Sequence, residues 1–77
     1  MIEKILEILE DIRPDVDFNE ETKLVEEGIL DSFDIVSIIS ELNDAFDINI
    51  RVTDLKPENF NTLEAISLLV SSKQNQD

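Results

Sequence analysis

Residues able to do chemistry are scarce in this chain, and the shortage itself narrows the function. There is no cysteine and no histidine, so the usual nucleophile–base pairs, thiolate metal sites and disulfide frameworks are all missing. What remains is nineteen acidic residues and a few hydroxyls. One acidic pattern invites a metal reading. Asp15, Asp17, Asn19, Glu21 and Glu26 stand at positions one, three, five, seven and twelve of a calcium-binding EF-hand loop. The sixth position, which needs Gly for its sharp turn, is Glu20, and the ninth is Lys23, a cation beside the would-be ion. Gly28 interrupts the helix that should follow. The spacing reads as acidic surface, and we assign no metal ligands.

The second pattern is Asp31-Ser32, directly ahead of an apolar helical stripe. Two readings stand side by side. Such a pair is commonly a plain helix N-cap. If Asp31 takes the cap, however, the Ser32 hydroxyl is not needed by the backbone and points outward. It then stands at the positive end of a helix, where free N–H groups and the dipole favour a phosphate. Gly28 permits the sharp turn the preceding loop needs. No other set of residues here resembles catalytic machinery, and the expectation is a protein that is not an enzyme.

The elements that must position Ser32 follow from apolar spacing. Ile2, Ile5, Leu6, Leu9 and Ile12 form one stripe of a first helix over about 2–12, broadened by Ile8, and Pro14 ends it by disfavouring a helical Arg13. A long connection over 13–31 carries the apolar anchors Val16, Phe18, Leu24, Ile29 and Leu30, which predict that it folds down onto the core. Ile35, Ile38, Ile39, Leu42, Ala45 and Phe46 predict a second helix over about 32–46. Asp31 suits its N-cap, Asp34 its dipole, and Leu30 with Ile35 a hydrophobic staple. Residues 47–52 alternate like a strand but have no partner strand, so they read as an extended loop pinned by Ile48 and Ile50. A short helical turn falls within 53–60 with Pro57 near its start. A last helix covers about 62–71, capped by Asn61 or Thr62, with Leu63, Ile66, Leu69 and Val70 inward. The expectation is an all-α four-helix bundle with a short third helix. One domain covers 1–72 and a flexible polar tail 73–77.

The net charge of −13 on 77 residues repels nucleic acid and anionic membrane and attracts proteins with basic patches. Charge at Glu3 and Lys4 and the lack of a long apolar run predict neither a signal peptide nor a membrane-spanning helix. The expected setting is cytoplasmic, and the expected state a monomer.

The ordered set Leu24, Gly28, Asp31, Ser32, Leu42, Phe46, Asp47, Ile50, Thr62, Leu63, Ala65 and Ile66, in an acidic chain of this length, resembles the acyl carrier protein family from about Ile2 to Val70. The resemblance implies that Ser32 carries 4′-phosphopantetheine, placed there by a phosphopantetheinyl transferase that uses coenzyme A and magnesium, with Asp31 helping to orient the transferase and its magnesium. It implies acyl or related carboxylic cargo held as a thioester on that arm. A loading synthetase or ligase and a condensing or transferase enzyme would be the other partners. The family reads its partners through helix two, which implies recognition by Phe33, Asp34, Val36, Glu41 and Asp44. The same resemblance makes Ile39, Phe46, Ile50 and Phe60 neighbours of an acyl chain if the bundle parts, or else ordinary core.

Two departures bear on the pathway. Eleven of the acids precede Ser32, while Ser37, Ser40, Asn43 and Ala45 stand in helix two where fatty-acid carriers would carry more charge. The stretch Asp54–Phe60 is longer than in those carriers. Both features, with Phe33 after the serine, lean toward specialised carriers of aminoacyl, D-alanyl or polyketide type. An interaction module without the prosthetic group is the remaining alternative.

Overall fold

Apolar spacing becomes helix where the sequence places it. In the computed structural model, which describes residues 2–20 and 23–75, α1 spans Ile2–Ile12, α2 Ser32–Phe46, α3 Pro57–Phe60 and α4 Leu63–Gln74, with a 3₁₀ turn at Val52–Asp54. There is no strand among the described residues. The fold is the expected all-α bundle with a short third helix. Packing runs from α1 onto both α2 and α4, with α3 against α4 and α2 touching α4.

The core is apolar throughout. Ile5, Ile8 and Leu9 enter it from α1, Ile35, Ile38 and Leu42 from α2, Phe60 from α3, and Ile66 and Val70 from α4. The long connection contributes Phe18, Leu24 and Leu30, and the segment after α2 contributes Ile50. Each such side chain withdrawn from water is worth roughly 1.5–3 kcal/mol, so the connection is held down by its own anchors. Leu30 and Ile35 are both buried in this cluster, as a staple requires. Ile2 departs from the expected stripe. It is 45% exposed, because the buried face of α1 centres on Ile5, Ile8 and Leu9.

Polar clips close the ends of the elements. Asp47 takes the left-handed conformation (φ 53°) after α2, and the Ile48 N–H bonds the Asn43 carbonyl at 3.2 Å. The Asn43 side chain accepts the Ile50 N–H at 2.8 Å, which fixes the extended segment that alternation alone left without a partner. Pro57 opens α3 at its first position. Thr62, not Asn61, caps α4, accepting the Ala65 N–H at 2.9 Å.

The last helix runs past Ser71 to Gln74. Lys73, expected in a loose tail, is helical and donates to the Asp54 carboxylate at 2.8 Å. A cation in the last turn also suits the helix dipole. Residues 76 and 77 of that expected tail lie outside the described residues, as does Glu21 of the EF-hand-like spacing.

Candidate functional site

The approach to Ser32 is a series of turns held from two sides. The Glu27 N–H bonds the Lys23 carbonyl at 3.0 Å and the Gly28 N–H that of Val25 at 3.1 Å. Gly28 lies at φ +72°, with open space where a Cβ would stand. The left-handed backbone, not crowding, is what calls for glycine there. The Leu30 N–H then returns to the Leu24 carbonyl at 2.9 Å, and Leu24 itself bonds the Asn61 carbonyl at 3.0 Å. The Asn61 side chain accepts the Val25 and Glu26 N–H groups at 3.0 and 3.1 Å. Asn61, considered in sequence only as a helix cap, is a clamp on the loop that leads to the serine.

At the start of α2, two carboxylates divide the capping work. Asp31 accepts the Asp34 N–H at 2.9 Å, and Asp34 accepts the Asp31 N–H at 3.2 Å. The Ile35 N–H bonds the Asp31 carbonyl at 3.0 Å. Ser32 is the first helical residue and is exposed. Its hydroxyl makes no hydrogen bond to any described residue, and neither do the N–H groups of Ser32 and Phe33. Of the two readings of the Asp-Ser pair, the cap belongs to Asp31. That leaves a free oxygen nucleophile beside free N–H donors at the positive end of a 15-residue helix, a setting that fits a phosphodiester on Ser32.

Asp34 differs from its expected place. The family resemblance makes it a recognition residue on helix two, but its side chain is 16% exposed and bonds the Arg13 guanidinium at 2.6 Å. Its dipole preference is met by an inward carboxylate, and the capping box occupies the rest of it. The remaining surface on α2 is apolar and hydroxylic near the serine. Phe33 is 85% and Val36 59% exposed, and Ser37 and Ser40 are exposed beyond them. Charge returns only at Glu41 and Asp44, which with Glu7, Asp11 and Lys4 line an open depression of about 300 Å³ between α1 and α2.

The other acids are accounted for locally. The Arg13 guanidinium grips both Asp15 oxygens at 3.1 and 3.0 Å. That fork, and then the backbone N–H of Asp15, hold the Asp15 carboxyl below its ordinary range. Asp15 and then Asp34 raise Arg13 above its own ordinary value, so it remains a cation. The Asp17 carboxylate accepts the Asn19 N–H at 3.2 Å. No group of three or more potential ligands among the described residues is arranged to hold a metal ion. Ile39 and Phe46 are half-buried and Ile50 and Phe60 buried in the core cluster, which is the ordinary-packing reading of those four. No helix among the described residues is long and apolar enough to cross a membrane.

Comparison with known proteins points the same way as the geometry. A family model described as a phosphopantetheine attachment site matches residues 2–70. The chain is 35% identical over 79 residues to the D-alanyl carrier protein of Lactococcus lactis subsp. lactis (strain IL1403), with all of both chains covered. It is 37% identical, again over the whole of both chains, to that of Lactococcus lactis subsp. cremoris (strain MG1363). A D-alanyl carrier protein of Bacillus cereus (strain B4264) is 37% identical over 62 residues, 78% of each chain.

Proposed function

The chain belongs to the phosphopantetheine-attachment family of carriers, and from that premise we propose that Ser32 bears the arm and that the cargo is D-alanine. A carrier of this family is not an enzyme and works with a covalently attached 4′-phosphopantetheine, whose thiol holds the cargo carboxyl as a thioester. The thiol explains how a chain without cysteine takes part in acyl chemistry.

The observation that carries the attachment reading is the unengaged Ser32 hydroxyl at the first position of α2, with Asp31 holding the cap. Here Ser32 supplies the oxygen, and the N–H groups of Ser32 and Phe33 favour the phosphate charge. Arg13 offsets the nearby Asp34 carboxylate, and Asp31 faces the approaching transferase. The D-alanyl reading rests on relatives matched along the whole chain. It agrees with the uncharged exposed surface of α2 between Asp34 and Glu41 and with the longer stretch before Phe60.

A ligase that activates D-alanine would load the arm, docking on Phe33 and Val36, and a transferase would unload it. Glu41 and Asp44 would set the charge complementarity of the approach. The need for coenzyme A supports a cytoplasmic setting for this traffic.

The test loads arm-bearing protein with ATP, a D-alanine-activating ligase and labelled D-alanine. Label should enter the protein, be released by hydroxylamine and be absent from Ser32→Ala. Efficient loading with long-chain fatty acid by an acyl ligase, with none by D-alanine, would overturn the cargo.

A further inference from the structure

Arg13 directly follows α1 in sequence, yet its guanidinium reaches three separate places. Nη1 donates to the Ile29 carbonyl at 2.9 Å and to the Asp34 carboxylate at 2.6 Å. Nε and Nη2 hold Asp15. Ile29 follows Gly28, and Asp34 is the third residue of α2. Ser32 thus lies between two points held by one side chain. The Arg13 and Asp34 side chains are 29% and 16% exposed, so the pair is better shielded than an ordinary surface ion pair. The Asp34 oxygen that takes this bond, Oδ2, is the same one that accepts the Asp31 N–H. The cap of α2 and the end of α1 therefore meet on a single atom.

We propose that Arg13 is a positioning residue for arm transfer, fixing the angle at which the loop and the first turn of α2 present the Ser32 hydroxyl. The inference rests on the reading of Ser32 as the attachment serine. In the transfer, Ser32 Oγ forms a bond to a phosphorus of coenzyme A. The bond from that phosphorus to the nucleotide part breaks, and the hydroxyl proton passes to a base of the transferase. Oxygen must meet phosphorus in line, so an angular error in the first turn lowers the rate. Arg13 opposes that error by joining the segment before the cap to the third helical residue. Asp15, with two parallel bonds, aims the fork. A lysine is a point charge and lacks the geometry to serve the same acceptors together.

The experiment follows arm transfer from coenzyme A by intact mass, using a purified phosphopantetheinyl transferase. Wild type, Arg13→Gln, Arg13→Lys, Asp34→Asn and the Arg13→Gln/Asp34→Asn double variant are compared well below each melting midpoint. Amide exchange is read on the same proteins without coenzyme A. Arg13→Gln should lower kcat/KM about tenfold, with partial recovery in Arg13→Lys. Exchange should rise at Asp31, Asp34 and Ile35, whose N–H groups are bonded at the cap, and stay unchanged at Ile38–Leu42, which a general loss of stability would not produce. The Asp34→Asn amide oxygen still accepts the Asp31 N–H, so the double variant should fall no further than Arg13→Gln alone. Wild-type kcat/KM in Arg13→Gln, or losses that add in the double variant, would overturn the role while leaving Ser32 intact. A wild type that takes no arm would instead bring down the Ser32 assignment, and this inference with it.

Discussion

Asp31 and Asp34 cap each other across the first turn of α2, each carboxylate accepting the other's backbone N–H, at 2.9 and 3.2 Å. The reciprocity matters for the residue between them. With the Asp31 and Asp34 N–H groups satisfied by aspartates, the Ser32 hydroxyl is not called on as a cap.

Stability measurements should separate the two members of the Asp-Ser pair. Asp31→Ala should lose about 1 kcal/mol in urea unfolding, the usual cost of removing an N-cap. Ser32→Ala should stay within about 0.5 kcal/mol of wild type, as exposed substitutions away from such features do. Equal losses would mean that the serine shares the cap.

Asn61 should matter more than its place in a short connection suggests. Asn61→Ala leaves the Val25 and Glu26 N–H groups without their acceptor, which should cost about 1–3 kcal/mol. Amide exchange should quicken across 24–30, and Asn61→Asp, which keeps an acceptor oxygen, should restore much of the protection. Unchanged exchange there in Asn61→Ala would contradict the clamp.

Phe33 should behave in the opposite way. At 85% exposure its removal should change stability by less than about 0.5 kcal/mol. As the bulkiest exposed side chain beside the serine, it should nonetheless raise the KM of the loading ligase about fivefold or more when cut to alanine. A Phe33→Ala protein that unfolds early but loads normally would reverse the assignment.

The Asp54–Lys73 bridge gives a pH signature. The Lys73 ammonium, and then the Arg51 N–H, hold the Asp54 carboxyl below its ordinary 3.8. A carboxyl depressed on folding adds stability above its unfolded value and loses it as pH falls through the folded one. Protonating the other acids relieves self-repulsion in a chain of charge −13, so the useful quantity is a difference between proteins. The gap in melting midpoint between wild type and Asp54→Asn should be largest near neutrality and should shrink below pH 3.8. A gap that widens toward acid would contradict the bridge.

How far the sequence reaches depends on whether an interaction has a local signature. The bounds of α1 and α2, the buried Phe18, Leu24 and Leu30, and the cap at Asp31 were all legible, because periodicity and capping act over neighbouring residues. The bonds from Arg13 to Asp34 and from Asn61 to Val25 and Glu26 cross long stretches of chain. One side chain meeting a distant backbone group leaves no pattern in residue types. The inward turn of Asp34 is not legible, because a carboxylate near a helix start satisfies the dipole whichever way it points. The helical place of Lys73 is not legible either, because its polar neighbours carry no apolar stripe and its tether, Asp54, lies on another element.

The central claim is that Ser32 bears the arm, and peptide-level mass spectrometry after incubation with coenzyme A and a phosphopantetheinyl transferase tests it most directly. The account predicts one phosphopantetheine per chain, found on the peptide containing Ser32, and no gain in Ser32→Ala. An unmodified wild type, or an arm that persists in Ser32→Ala, would contradict it.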